Sequence, residues 1–273
     1  MTQLMQGKRG LIMGVANNHS IAWGIAKMLA DHGAELAFTH QGPSMERRVR
    51  PLAESVGSSI VMDCDVEDIA SVDAVFDRLK SEWGSIDFFV HAVAFSDKNE
   101  LAGRFADTSR ENFNRTMTIS CFSFVETAKR AAALMQEGEN PGGSMVTLTY
   151  DGSQRVMPNY NVMGVAKAAL EASVRYLATD FGRDAIRVNA ISAGPMRTLA
   201  GAGVADARLM FNFQKQHAPL GRTVTLDEVG GAGLYLLSDL GSGVTGEIHY
   251  VDSGYNTISM PRLEALKVLP TAE

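Results

Sequence analysis

Segments of strand character alternate with segments of helix character along the whole of this chain, and few folds accept that order. Apolar runs fall at residues 9–13, 34–41, 59–66, 86–95, 144–149 and 247–252, and another strand ends in the segment 191–198. Helical patterning occupies residues 20–32, 44–57, 69–83, 109–137, 159–182 and 225–239 between them. Such alternation predicts an α/β fold: a Rossmann-like, doubly wound parallel sheet of about seven strands with right-handed crossovers. With 273 residues, 45% of them hydrophobic, the chain can bury one sizeable core, so residues 1–273 read as a single domain. No repeat, low-complexity tract or linker divides it.

The first crossover carries a binding signal. The strand ending Leu11-Ile12-Met13 enters the turn Gly14-Val15-Ala16-Asn17-Asn18-His19, and an Ala-rich helix begins at about Ser20. Backbone N–H groups in such a turn, together with a helix N-terminus, face a pyrophosphate. Gly14 and Gly24 do not reproduce the usual GxGxxG spacing, so an accidental glycine loop remains open on the pattern alone. The ends of the next strands add to it. Gln41 occupies the place of the ribose-contacting residue, without the usual acid. Asp65-Val66 suits an adenine edge, and the small residues around Val93 suit a ring or ribose lying against the backbone. A plain strand-end turn stays open for Asp65.

The chemistry concentrates in Tyr150 and in the stretch Tyr160-Asn161-Val162-Met163-Gly164-Val165-Ala166-Lys167. Tyr160 and Lys167 are separated by close to two helical turns, so both are expected to project from nearly the same face. A phenol with a cation beside it forms a proton donor and a charge to tune it. The plain alternative is an exposed tyrosine and lysine on a surface helix.

With these residues in view the chain resembles the short-chain dehydrogenase/reductases, and more narrowly the NADH-dependent enoyl-acyl carrier protein reductases of bacterial type II fatty acid synthesis. The match is carried by Gly14-Val15-Ala16 with Ser20-Ile21-Ala22, Cys64-Asp65-Val66, Val90-His91-Ala92, Pro158 to Gly164 with Ala166-Lys167, and Arg187 to Pro195 with Arg197-Thr198-Leu199-Ala200. It runs from about Lys8 to Gly254. Other members of the superfamily space the tyrosine three residues closer, where this chain has Met163. Ala94 departs from the pattern, standing where many relatives carry glycine.

The resemblance implies hydride transfer from NADH to the β-carbon of a trans-2-enoyl thioester on acyl carrier protein, the last step of the elongation cycle. It implies a catalytic set of Tyr150, Tyr160 and Lys167. Tyr160 hydrogen-bonds the thioester oxygen, Lys167 serves both the oxyanion and the nicotinamide ribose, and Tyr150 positions substrate where superfamily relatives have serine. Gly14, Ser20, Ile21, Gln41, Asp65, Val66, Val93, Ile191, Met196, Thr198 and Ala200 are the cofactor candidates, and Ser96 with Tyr160 faces substrate. The displaced tyrosine has a physical reading. Moving it three residues shifts it about 4.5 Å along a helix axis, and conjugate reduction puts charge on an oxygen some way from the carbon that takes hydride.

Residues 197–216, rich in Ala, Gly and Met-Phe, suit a substrate lid, with a routine surface helix pair as the alternative. Arg197, Arg208, Lys215 and Arg222 near it can meet an acidic carrier protein or stand as scattered surface cations. The broad apolar faces of 109–137 and 159–182, with the strand at 247–252, suggest subunit contacts, and the resemblance implies a homotetramer. A net charge of −6 gives no support for nucleic-acid binding, and no run is long and apolar enough to span a membrane. Two cysteines, Cys64 and Cys121, without CxxC or clustered histidines, weigh against a zinc site and fit a reducing cytoplasm. Cys64 is expected inside a strand. NADPH stays open beside NADH, because Gln41 offers no carboxylate to reject a 2′-phosphate and Arg47 and Arg48 lie close. A 3-ketoacyl or alcohol oxidoreductase, and a non-catalytic NAD(P)-sensing protein, remain rival readings.

Overall fold

In a computed structural model, which describes residues 3–199, 201 and 206–260, the strand segments assemble into one sheet. The strands are β1 (Arg9–Met13), β2 (Glu35–His40), β3 (Ile60–Asp63), β4 (Phe88–His91), β5 (Gly143–Thr149), β6 (Ile186–Ala193) and β7 (Ile248–Val251). Their order is β3-β2-β1-β4-β5-β6-β7, and every neighbouring pair is parallel. The helices are α1 (Ile21–Asp31), α2 (Gly42–Ser55), α3 (Ile69–Trp83), α4 (Arg110–Met117), α5 (Ser123–Met135), α6 (Asn161–Phe181), α7 (Ala207–His217) and α8 (Leu226–Leu237).

Alternation along each strand divides the core into two layers, since successive side chains leave opposite faces of the sheet. Leu11 and Phe89 point to the face covered by α3, α5 and α6, where they join Phe76, Phe124, Leu170 and Val174. Their neighbours Ile12 and Phe88 point the other way and meet Ile25, Leu29, Val49 and Val229 of α1, α2 and α8. On that second face α1 and α8 run almost backbone against backbone. A Cβ on Gly230 would lie 2.6 Å from the carbonyl oxygen of Gly24, so only glycine permits the approach. Helix starts follow local chemistry. Asp68 accepts from the Ala70 N–H at the head of α3, and Thr225 with Glu228 forms a capping box on α8.

Three expectations need correction. The third strand ends at Asp63, so Cys64 lies just past it, buried but not in a strand. β3 is the sheet edge and pairs only with β2, which runs out at His40. The chain then turns, with the Asp65 carboxylate accepting from the Glu67 N–H. The fourth strand stops at His91 rather than near Phe95, because β1, its partner, turns away at Gly14. The helix expected over 109–137 is three pieces: α4, a π-helical stretch Thr118–Phe122, and α5. That wide turn contains Ser120, whose hydroxyl donates to Phe95 O at 2.9 Å and accepts from Phe95 N at 3.0 Å. It thereby ties down the loop after β4. No described helix is long and apolar enough to cross a membrane.

Candidate active site

The sheet reverses direction of winding at the β1/β4 boundary, where a doubly wound fold opens a crevice beyond the strand C-termini. Gly14 sits there with φ +97°, and a Cβ on it would lie 2.1 Å from Ala92 O. No other residue keeps the turn and the close approach to β4. Ser20 spends its hydroxyl inside the turn, accepting from Ala16 N at 3.0 Å and Asn17 N at 3.1 Å. It therefore makes no cap on α1, whose first turn, beginning at Ile21, also carries no acid. An uncapped, acid-free helix start in a preformed loop fits a pyrophosphate.

The other cofactor candidates lie along the same edge. Gln41 is exposed at the N-cap of α2, and Asp65 and the buried Val66 follow β3. Val93, partly buried, follows β4 and packs on the core. Ile191 is wholly buried within β6, in register with Leu148 and His249, so only its backbone can serve a ligand. Met196 packs against the α1/α8 core, and the Thr198 hydroxyl accepts from Gly201 N at 2.9 Å. Ala200 lies outside the described residues, as do 202–205 of the expected lid and most of the C-terminal tail.

Tyr150 comes from the end of β5, and Tyr160 and Lys167 come from the head and second turn of α6. Tyr150 leaves the end of β5 in extended conformation, and its ring meets that of Tyr160 edge-on, with centroids 5.2 Å apart. Tyr160 stands at the N-cap of α6, one residue before the helix proper, rather than on the helical face the spacing suggested. Asparagines in left-handed backbone flank it, Asn159 at φ +58° and Asn161 at φ +33°. Asn161 Nδ2 donates to the carbonyls of Glu100, Ala102 and Gly103. Two such residues around one side chain place backbone strain at the tyrosine, as is common at functional sites. Gly152 and Gly164 make room for it. A Cβ at 152 would stand 2.5 Å from the Tyr160 ring, and one at 164 would stand 2.7 Å from Gly152 O.

Lys167, buried on the second turn of α6, donates from Nζ to Leu148 O at 2.8 Å. Burial pulls its ammonium down to about 8, against the smaller opposing pull of Cys121 and Glu171. Burial pushes Tyr150 up to about 12 and Tyr160 higher still, so both arrive as hydrogen-bond donors. His91, at the end of β4, is enclosed between Thr147 and Ser123, and burial drops it to about 3. It is a neutral structural imidazole.

Ser96 is less available than its position suggested. Its hydroxyl accepts from Thr116 Oγ1 at 2.9 Å and from Asn112 Nδ2 at 3.2 Å. Arg222, one of the four cations assigned to the lid region, is bound to both carboxylate oxygens of Glu228. Arg197 lies over the Phe211 ring at 5.1 Å. One important residue was not anticipated. Glu171, one turn beyond Lys167 and 1% exposed, accepts from Thr149 Oγ1 at 2.7 Å, from the Ser153 hydroxyl and from Gln154 Nε2 at 2.5 Å. It ties the loop carrying Tyr150 to the helix carrying Lys167. Its four-residue offset from Lys167 was the available signal.

Residues 14–256 match the family model described as enoyl-(acyl carrier protein) reductase. The chain belongs to that reductase family. A family member from Rhizobium meliloti, enoyl-[acyl-carrier-protein] reductase [NADH] 2, is 70% identical over 98% of both chains. The crystal structure of FabI from Candidatus Liberibacter asiaticus superposes with a TM-score of 0.93 at 57% identity, over 96% of this chain and 100% of that one. The reductase of Anaplasma phagocytophilum, solved in complex with NAD, gives 0.92 at 56% identity, over 96% and 99%.

Proposed function

We propose that this protein reduces the C2=C3 double bond of trans-2-enoyl thioesters on acyl carrier protein with NADH, closing each round of fatty acid elongation. The observation that carries the reading is the Tyr150–Tyr160 ring pair, with Lys167 buried seven residues along α6 from Tyr160, at the carboxyl edge of a sheet whose switch-point turn fits a pyrophosphate. Membership of the reductase family supports the same reaction.

When bound, the reduced nicotinamide supplies the hydride. The chain's own residues supply the rest. Tyr160 donates its hydroxyl proton toward the thioester oxygen as negative charge gathers there, and Lys167 adds positive charge and holds the ribose. Tyr150, packed edge-on against Tyr160, limits where that ring can turn. The flanking asparagines and Gly152 fix its backbone and face. Residues 197–216, including α7, form the lid over the acyl chain in this reading, and exposed Leu209 and Phe213 are its apolar surface. The homotetramer that the resemblance implies would draw its subunit contacts from apolar residues left exposed on and beside α6, among them Phe122, Val165 and Tyr176. We place it in the cytoplasm, where the carrier-linked substrate is made.

Initial rates of NADH consumption with a crotonyl thioester and with a 3-ketoacyl thioester test the proposal. Turnover of the crotonyl compound is expected. Turnover of the ketoacyl compound alone supports a ketone reductase, and binding of dinucleotide without either turnover supports a sensor. The lid and tetramer readings are checked by deleting the lid apolar side chains and by sedimentation.

A further inference from the structure

The acid that conventionally selects a free 2′-hydroxyl stands at the end of β2, and this chain has the uncharged Gln41 there, with Arg47 and Arg48 exposed on the following helix. By that residue alone a 2′-phosphate is welcome. A carboxylate nevertheless reaches the place from the next strand. Asp63, the last residue of β3, pairs in register with His40, the last of β2, and its side chain is 66% exposed. Its Oδ1 accepts from the Gly42 N–H at 2.7 Å and lies 3.5 Å from His40 Nδ1.

That hydrogen bond falls on the donor a phosphate needs most. α2 starts at Gly42, held at φ +72°, and its second residue is Pro43, which has no N–H. Among the first two positions of the helix, Gly42 alone offers a backbone proton, and Asp63 already takes it. A phosphomonoester carries more than one negative charge at neutral pH. At the head of α2 it meets a carboxylate instead of a free N–H, whereas a ribose hydroxyl meets an acceptor to which it can donate.

On the reading that a nicotinamide dinucleotide lies along this edge, we propose that Asp63 is the specificity-determining residue that selects dinucleotides with a free 2′-hydroxyl over 2′-phosphorylated ones. The selection comes from β3, not β2. Asp63 closes the anion seat that Arg47, Arg48 and the α2 N-terminus would otherwise form.

Isothermal titration of the full-length protein with NADH and with NADPH tests this without relying on turnover. Wild type is expected to bind NADH the more tightly. Asp63→Asn keeps an oxygen for the Gly42 N–H and removes the charge. It should lower the ratio of NADPH to NADH dissociation constants by about tenfold or more, the size of one close, partly screened charge repulsion. Asp63→Glu should retain the wild-type preference, and Arg47→Gln added to Asp63→Asn should reverse part of the gain. An unchanged ratio in Asp63→Asn, or equal wild-type affinities for the two dinucleotides, overturns the assignment while leaving the reductase reading intact. Wild-type protein that binds neither dinucleotide overturns both.

Discussion

Lys167 makes a pH prediction that can be worked through from the site. Its ammonium has been moved from 10.5 to about 8, chiefly by burial. At 1.36 kcal/mol per unit that is about 3 kcal/mol against the charged form. The sign follows directly. Below about pH 7 roughly nine-tenths or more of the free enzyme carries the cation, and above pH 8 the cation is lost about tenfold per unit. If the cation steadies the developing oxyanion, kcat/KM is flat on the acid side and falls through an apparent pKa of about 8. Tyr160 does not produce that limb, because burial holds its phenol above the ordinary tyrosine value of 10.0. Glu171 supplies the control: its charge raises the Lys167 pKa, so Glu171→Gln should move the limb to lower pH by about half a unit or more. The assay is the initial rate of NADH loss at low enoyl thioester concentration across the range, with circular dichroism at each pH to exclude unfolding. A profile that stays level to about pH 9.5, or a limb unmoved in Glu171→Gln, refutes the reasoning.

Three further outcomes follow from neighbouring contacts. Tyr160→Phe should reduce kcat on the order of 10²-fold or more with little change in the dissociation constant for NADH, read by steady-state kinetics and titration. Gly164→Ala places a methyl 2.7 Å from Gly152 O, so α6 must part from the loop beside Tyr160. The rate should fall by about 10²-fold if the ring shifts by roughly 1 Å, and a normal rate would show that the loop gives way harmlessly. Glu171→Gln should also cost about 2 kcal/mol in urea unfolding, since three hydroxyl and amide groups lose an ionised acceptor.

The sheet and its winding were legible because strand and helix periods differ and each strand is short. The candidate site could be drawn from sequence where chemistry is carried by residue type, as at Gly14, Tyr150, Tyr160 and Lys167. What escaped depends on who sits beside whom. The end of β3 is set by where β2 runs out, which no pattern within residues 59–66 discloses. The π-helical turn at Thr118–Phe122 depends on Ser120 meeting the backbone of Phe95, a contact across 25 positions. Tyr160 sits before its helix because asparagines on either side adopt left-handed backbone, and asparagine permits that conformation without announcing it. The weight of Glu171 and Asp63 shows only once the fold sets three donors around one and a helix start against the other. Ser96 shows the converse: the sequence places its hydroxyl just past β4 but does not show that Thr116 and Asn112 already hydrogen-bond to it.

The tight seam between α1 and α8 has a consequence for how the molecule comes into being. The helix whose start fits a pyrophosphate is braced by a segment more than 200 positions downstream, around Gly230. A nascent chain that has made only its first three strands and helices therefore leaves one side of α1 uncovered. Dinucleotide capture has to wait until α8 has been made, and fragments that stop short of α8 should emerge unable to hold the nucleotide.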